Sequence, residues 1–98
     1  MGRKRPQLDC RDVKRLLRLL GFEAAPRTGT SHEKFKGYGR GQARRVYVDC
    51  PKAPFSPDLI KSMASQAGVT VSEFYEAADG SIPADWPGPV PPAVAEPT

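Results

Sequence analysis

The sequence predicts an α+β domain with the element order α-β-β-β-α, in which a three-stranded antiparallel sheet carries the helices on one face. Three observations lead to this fold class: a capped amphipathic helix near the start, three short strands joined by turns, and a second capped helix after several prolines. An antiparallel sheet commonly buries one face only, and both helices would cover that face. The chain has 98 residues, of which 39% are apolar, and this suffices for one small domain with a thin core.

The first helix is predicted from its ends and its apolar stripe. Asp9 is a suitable N-cap, and Asp12 stands at the third helical position, as in a capping box. Gly21 is expected to end the helix in the left-handed conformation. Between these ends, apolar residues recur at i, i+3, i+4 and i+7 and form one stripe, which consists of Val13, Leu16, Leu17 and Leu20.

Three strands are predicted after this helix. The first covers 22–27, a tight turn follows, and the second covers 31–36. We interpret the glycine-rich stretch 37–41 as a hairpin loop. It leads into the third strand at 44–49, where apolar and polar residues alternate.

Two further helices are predicted from their caps. Ser56 is the N-cap of the second helix, and Pro57 occupies its first position, where the missing N–H costs nothing. Thr70 and Glu73 form a capping box for a short last helix.

Composition changes again at residue 80. From there onward 6 of 19 residues are proline, which predicts a disordered tail. The predicted organisation is a basic arm at 1–7, a folded unit at 8–79 and the tail at 80–98. Two placements stay open for Trp86 within this tail: packed against the domain, or exposed to solvent.

Charge is distributed unevenly along the chain. Residues 1–52 carry 14 Lys and Arg against 5 Asp and Glu, a net charge of +9, whereas residues 53–98 carry 1 against 6, a net charge of −5. A basic half favours a polyanionic partner, and a basic solvated face is the alternative.

No run approaches the ~18 apolar residues of a membrane span, and no apolar signal segment follows the basic start. We therefore expect a cytoplasmic protein with no membrane partner.

The two cysteines, Cys10 and Cys50, are too few for a disulfide scaffold, and we expect both as reduced thiols. Together with His32, the one histidine, they offer three metal ligands and no C-x-x-C pair. A structural zinc site needs about four ligands. We therefore expect neither a metal nor a small-molecule cofactor.

Strand alternation predicts which residues share the open face of the sheet. The residues expected to face the helices are Phe22, Ala24, Phe35, Val46 and Val48. Their neighbours then lie on the open face, with Glu23 and Asp49 at its margins. The members of this open face are Arg27, His32, Lys34, Lys36, Arg45 and Tyr47.

A histidine among cations has the residue types that phosphodiester transfer requires. A neutral imidazole at His32 can take the proton of a 2′-hydroxyl, or its conjugate acid can protonate the leaving 5′-oxygen. Neighbouring cations would stabilise the charge that builds on the phosphate. Tyr47 either stacks on an unpaired base or simply covers the sheet. The alternative for His32 is a surface histidine with no role.

Five short motifs, in order and suitably spaced, make residues 8–76 resemble the HicA toxin family (YcfA-like), small RNA-cleaving toxins of bacterial type II toxin–antitoxin pairs. The family's central motif is G-S-H-H-x-F or a close variant. The matching segments here are Leu20-Gly21-Phe22, Thr30-Ser31-His32-Glu33-Lys34-Phe35, Val46-Tyr47-Val48, residues 59–68 and Ser72-Glu73-Phe74. Two positions depart from the central motif, since Thr30 replaces its glycine and Glu33 its second histidine.

The resemblance implies a fold similar to the double-stranded-RNA-binding domain and an endoribonuclease (mRNA interferase) activity that uses His32 as its acid/base. It also implies an RNA substrate and a HicB-type antitoxin that masks the active face. With the open-face analysis, it makes Arg27, Ser31, Lys34, Lys36, Arg45 and Tyr47 the candidate RNA-binding residues. Two other functions stay open: a non-catalytic RNA-binding module of the same fold, and an adaptor that binds partners through its proline-rich tail.

Overall fold

A computed structural model describes residues 7–26 and 32–88 of the chain. The elements, in chain order, are helix α1 (Cys10–Leu19), strands β1 (Glu23–Ala24), β2 (His32–Gly39) and β3 (Gln42–Asp49), a short 3-10 turn (Cys50–Lys52), and helices α2 (Pro57–Ala67) and α3 (Val71–Ala78). The three strands form one antiparallel sheet in the order β1-β2-β3. The predicted α+β class and its α-β-β-β-α layout are confirmed. Within the described ranges, no helix is long and apolar enough to cross a membrane.

The helix caps form as their local sequences predict. Asp9 and Asp12 make a reciprocal capping box at the start of α1, and Thr70 and Glu73 make another at the start of α3. The Ser56 hydroxyl accepts from the Leu59 N–H at the start of α2. These contacts satisfy N–H groups that have no partner within the first turn of a helix.

The core lies between the sheet and the helices. Phe35, Val46 and Val48 are fully buried on one face of β2 and β3, where they meet the apolar stripes of the helices. Ala24 stands opposite Phe35 and so lies on this face, yet it is exposed. Its strand is only two residues long and lies at the edge of the sheet.

Strand β1 is shorter than the predicted 22–27. After its two residues the Ala25 N–H still donates to the Lys34 carbonyl at 2.7 Å, but Pro26 has no N–H with which to continue the ladder. Arg27 lies outside the described residues.

The predicted hairpin loop at 37–41 is wrong in its extent. Strand β2 continues to Gly39, and the connection is a two-residue turn of Arg40 and Gly41, both with positive φ (47° and 90°). Positive φ at both positions is the signature of a tight hairpin turn whose twist matches that of the strands. Gly37 and Gly39 are strand residues whose missing side chains leave room for the rings of Phe22 and Trp86.

The C-terminal strap, residues 80–88, packs against the domain, in contrast to the predicted disorder from residue 80. The Trp86 indole N–H donates to the Leu20 carbonyl at 2.8 Å, and the ring stacks on Phe22 with 6.2 Å between centroids. Proline excludes this segment from helix and sheet but does not prevent one aromatic side chain from docking. Residues 89–98, the rest of the predicted tail, lie outside the described residues.

Arg40 ties the strap to helix α3. Its guanidinium forms two hydrogen bonds of 2.9 Å with the Glu73 carboxylate and one of 2.7 Å with Asp85, and it lies 5.8 Å from the Trp86 ring centre. The bidentate contact is the main reason that the pKa of Glu73 falls from 4.5 to about 2. Strap, hairpin turn and α3 are therefore one electrostatically linked unit.

Candidate nucleic-acid interface

The open face of the sheet is organised by the pairing of β2 with β3. Directly opposite residues share a face, and the register places His32 opposite Asp49, Lys34 opposite Tyr47, and Lys36 opposite Arg45. These three pairs form a double row on the side away from the helices, hereafter the open face. The predicted grouping of His32, Lys34, Lys36, Arg45 and Tyr47 on one surface matches this register.

His32 and Asp49 form the acid–base end of the open face. His32 begins β2, its side chain is 57% exposed, and its Nε2 lies 3.7 Å from Asp49 Oδ2. Asp49 ends β3, is mostly covered, and also lies 4.0 Å from the Lys52 ammonium. The register thus places a carboxylate beside an exposed imidazole.

The middle of the open face combines an aromatic ring with a cation. Tyr47 is 47% exposed and stands opposite Lys34. Its backbone N–H, on the outer edge of β3, donates to the Gln66 side-chain carbonyl of α2 at 2.9 Å. This bond fixes the strand at Tyr47 while leaving the phenol ring open to a ligand. A flat ring beside an ammonium is a suitable surface for an unpaired base and its phosphate.

The hairpin end of the open face is cationic and concave. Lys36 and Arg45 stand opposite each other beside a groove of about 640 Å³, which is lined by Lys36, Gly37, Ala43, Arg44 and Arg45. Glu23 of β1 stands opposite Lys36 on its other side, so the predicted marginal carboxylate lies next to this pair. Cations along a strand of this length can follow several successive phosphates.

Two predicted RNA-binding residues, Arg27 and Ser31, lie outside the described residues.

Two features of the described face were missed or undervalued. Tyr38 lies on it, opposite Ala43, because β2 extends beyond its predicted end. Asp49, predicted only at the margin, directly faces His32. Continued alternation through 37–41 was the signal that could have revealed Tyr38.

Glu33 lies on the opposite face of β2 from His32, as strand alternation predicts. Its carboxylate pairs with the Lys14 ammonium of α1 at 2.7 Å and contacts Cys50 Sγ at 3.4 Å. Glu33 is therefore not among the side chains of the open face.

The cysteines differ from the expectation of two reduced thiols, because Cys10 and Cys50 are joined in a disulfide with 5.1 Å between their Cα atoms. Forty positions separate them in sequence, so no local pattern indicates the contact. Glu33 places an oxygen within 4.8 Å of both sulfurs, which makes these three residues a possible set of metal ligands. While the sulfurs are bonded to each other they offer no thiolate to a metal. His32, considered with the cysteines as a ligand, is not in this set.

No protein-family model, no curated protein and no solved structure matches this chain.

Proposed function

We propose that this protein is an endoribonuclease that cleaves RNA on the open face of its sheet, with His32 as the acid/base, and that it is the toxin of a type II toxin–antitoxin pair. The observation that carries the proposal is the placement of His32, at 3.7 Å from Asp49, at one end of a face that also presents Lys34, Lys36 and Arg45. The resemblance of the central motif around His32 supports the same reading.

The proposed reaction is an internal phosphoryl transfer that needs no metal ion. The 2′-oxygen of the substrate forms a bond to the adjacent phosphorus, and the bond from phosphorus to the 5′-oxygen of the next nucleotide breaks. His32 either takes the proton of the 2′-hydroxyl, with solvent protonating the leaving 5′-oxygen, or supplies the proton of the 5′-oxygen, with solvent taking the proton of the 2′-hydroxyl. Asp49 orients the imidazole, and the nearby ammonium groups stabilise the additional negative charge on the phosphate oxygens.

The decisive experiment compares RNA cleavage by wild type, His32→Ala and His32→Gln in a metal-chelating buffer. We expect both variants to lose cleavage by about 100-fold or more, the usual scale for a general acid–base group. Their circular dichroism spectra should not change, because the side chain is mostly exposed. Lys61→Ala, on the exposed side of α2, is the control and should cleave normally. His32→Ala cleaving at the wild-type rate would contradict the assignment.

A non-catalytic RNA-binding module is the second candidate, and the exposed Tyr47 ring beside Lys34 favours it as much as it favours a nuclease. In that case wild type and His32→Ala bind a single-stranded RNA equally and neither cleaves it. Tyr47→Ala should weaken binding in both cases, since stacking on one base contributes about 1–3 kcal/mol.

We further propose an acidic antitoxin of the HicB type as the protein partner, bound over the open face. Such a partner would be attracted by the basic half of the chain and would exclude RNA from His32. Hydrogen exchange on the complex should then show protection of β2 and β3. Protection confined to the helices would contradict masking of the open face.

A further inference from the structure

The Cys10–Cys50 disulfide lies on the helix side of the sheet, away from the open face. Cys10 is the first residue of α1, and Cys50 follows directly on β3. Both residues are half-buried, and Cys50 Sγ contacts Glu33, which projects from the core face of β2. No part of the proposed nuclease chemistry uses this disulfide.

A basic groove leads to Cys10 along the outer side of α1. Its volume is about 590 Å³, and it is lined by Cys10, Arg11, Lys14, Arg15 and Arg18. Two carboxylates contact these cations: Asp12 reaches Arg15 at 3.3 Å, and Glu33 reaches Lys14 at 2.7 Å. Asp9 also interacts with Arg11, so four cations stand against three carboxylates, and the remaining charge of +1 favours a small anion over a cation of the same size.

The two sulfurs differ in their surroundings. Cys10 lines the groove, so a thiol bound there can reach its sulfur. Cys50 does not line the groove and faces a carboxylate. Once reduced and protonated, it can donate its S–H to Glu33.

We propose that Cys10–Cys50 is a thiol–disulfide exchange site for small anionic thiols, with Cys10 as the sulfur that is attacked. The thiolate of a carboxylate-bearing thiol enters the groove and forms a bond to Cys10 Sγ. The Cys10–Cys50 bond breaks, its electron pair stays on Cys50 Sγ, and Cys50 takes up a proton. A second thiolate then attacks the ligand sulfur of the mixed disulfide and releases Cys10. Two ligand thiols are oxidised to one disulfide, and the protein disulfide is reduced to two thiols.

The test measures how fast three thiols of different charge reduce the full-length oxidised protein: glutathione (anionic), 2-mercaptoethanol (neutral) and cysteamine (cationic). Each rate is divided by the rate of the same thiol with a small neutral disulfide, which removes differences in intrinsic reactivity. We expect glutathione to be favoured over cysteamine by about tenfold at low salt, the lower end of electrostatic steering. The preference should approach unity at about 1 M salt, where the screening length is about 3 Å.

Two double variants with equal loss of charge separate the groove from the overall charge of the protein. Arg11→Gln/Arg18→Gln should remove most of the preference, whereas Lys34→Gln/Lys36→Gln on the open face should keep it. Three results would overturn the proposal. They are an equal loss of the charge preference in both double variants, no charge preference in wild type, and two free thiols in wild type that has been exposed to air.

The attacked sulfur is identified with single-cysteine variants. Glutathione disulfide should modify Cys10 in Cys50→Ser several-fold faster than Cys50 in Cys10→Ser, as measured by the added mass, with folding checked by circular dichroism. Faster modification of Cys50 would refute the role of Cys10. If neither variant folds, the charge preference of wild type and its two doubles decides the proposal.

Discussion

Replacing Trp86 by alanine tests whether the C-terminal strap is part of the folded unit. Complete truncation of a buried tryptophan costs about 3–5 kcal/mol, and this indole is only half-buried, so we assign its lost packing about 2 kcal/mol. The lost hydrogen bond to the Leu20 carbonyl adds about 1 kcal/mol. For a domain of this size 1 kcal/mol corresponds to about 4–8 °C, so a total loss of about 3 kcal/mol should lower the melting temperature by about 12–24 °C.

The assay is thermal unfolding followed by circular dichroism, with urea unfolding as a second measure of the free energy. Trp86→Phe keeps a ring against Phe22 but removes the N–H donor, and it should lose about 1 kcal/mol. Ile82→Ala, in the same strap but 50% exposed, is the control and should change stability by less than about 0.5 kcal/mol. A melting temperature of Trp86→Ala within about 2 °C of wild type would refute the docking of the strap.

Three other predictions concern acid stability, packing and RNA binding. Because the folded-state pKa of Glu73 is about 2, its contribution to stability is present above its unfolded pKa of 4.5 and is lost as the pH falls to 2. Glu73→Gln should therefore lose about 1–2 kcal/mol at pH 7 in urea unfolding and show a flatter decline between pH 5 and 2. Gly39→Ala places a methyl group inside the indole position and should cost about 1–3 kcal/mol; unchanged unfolding would contradict the close contact. The triple change of Lys34, Lys36 and Arg45 to Ala should make the salt dependence of RNA affinity shallower by about 2, at about 0.7 per contact on a single strand. A wild-type slope would place RNA elsewhere.

The features predicted correctly from the sequence are those set by neighbours a few residues apart. The caps at Asp9, Ser56 and Thr70 depend on contacts across three positions, and the alternation of His32 and Lys34 depends on contacts across two. Local geometry determines both patterns, so a single chain segment contains the information.

The wrong or missing predictions depend on contacts between distant segments. Gly39 pairs with Gln42 in the sheet and leaves room for the Trp86 ring, and nothing near residue 39 indicates the contact with Trp86. The pairing of His32 with Asp49 follows from the length of the hairpin turn, which was predicted as five residues and has two. The disulfide, for its part, requires the start of α1 to reach the end of β3.

Gly37 and Gly39 also protect the sheet against misalignment. Gly37 lies against the Phe22 ring and Gly39 against the Trp86 ring. Only the observed alignment of β2 puts a residue without a side chain beside each ring. A slip by one residue would move Lys36 and Tyr38 into these two places and would bury Lys34 where Phe35 now packs. The same shift would turn Phe35 and Glu33 outward. A one-residue slip of β2 against these two rings should therefore disrupt the core and the cationic row together.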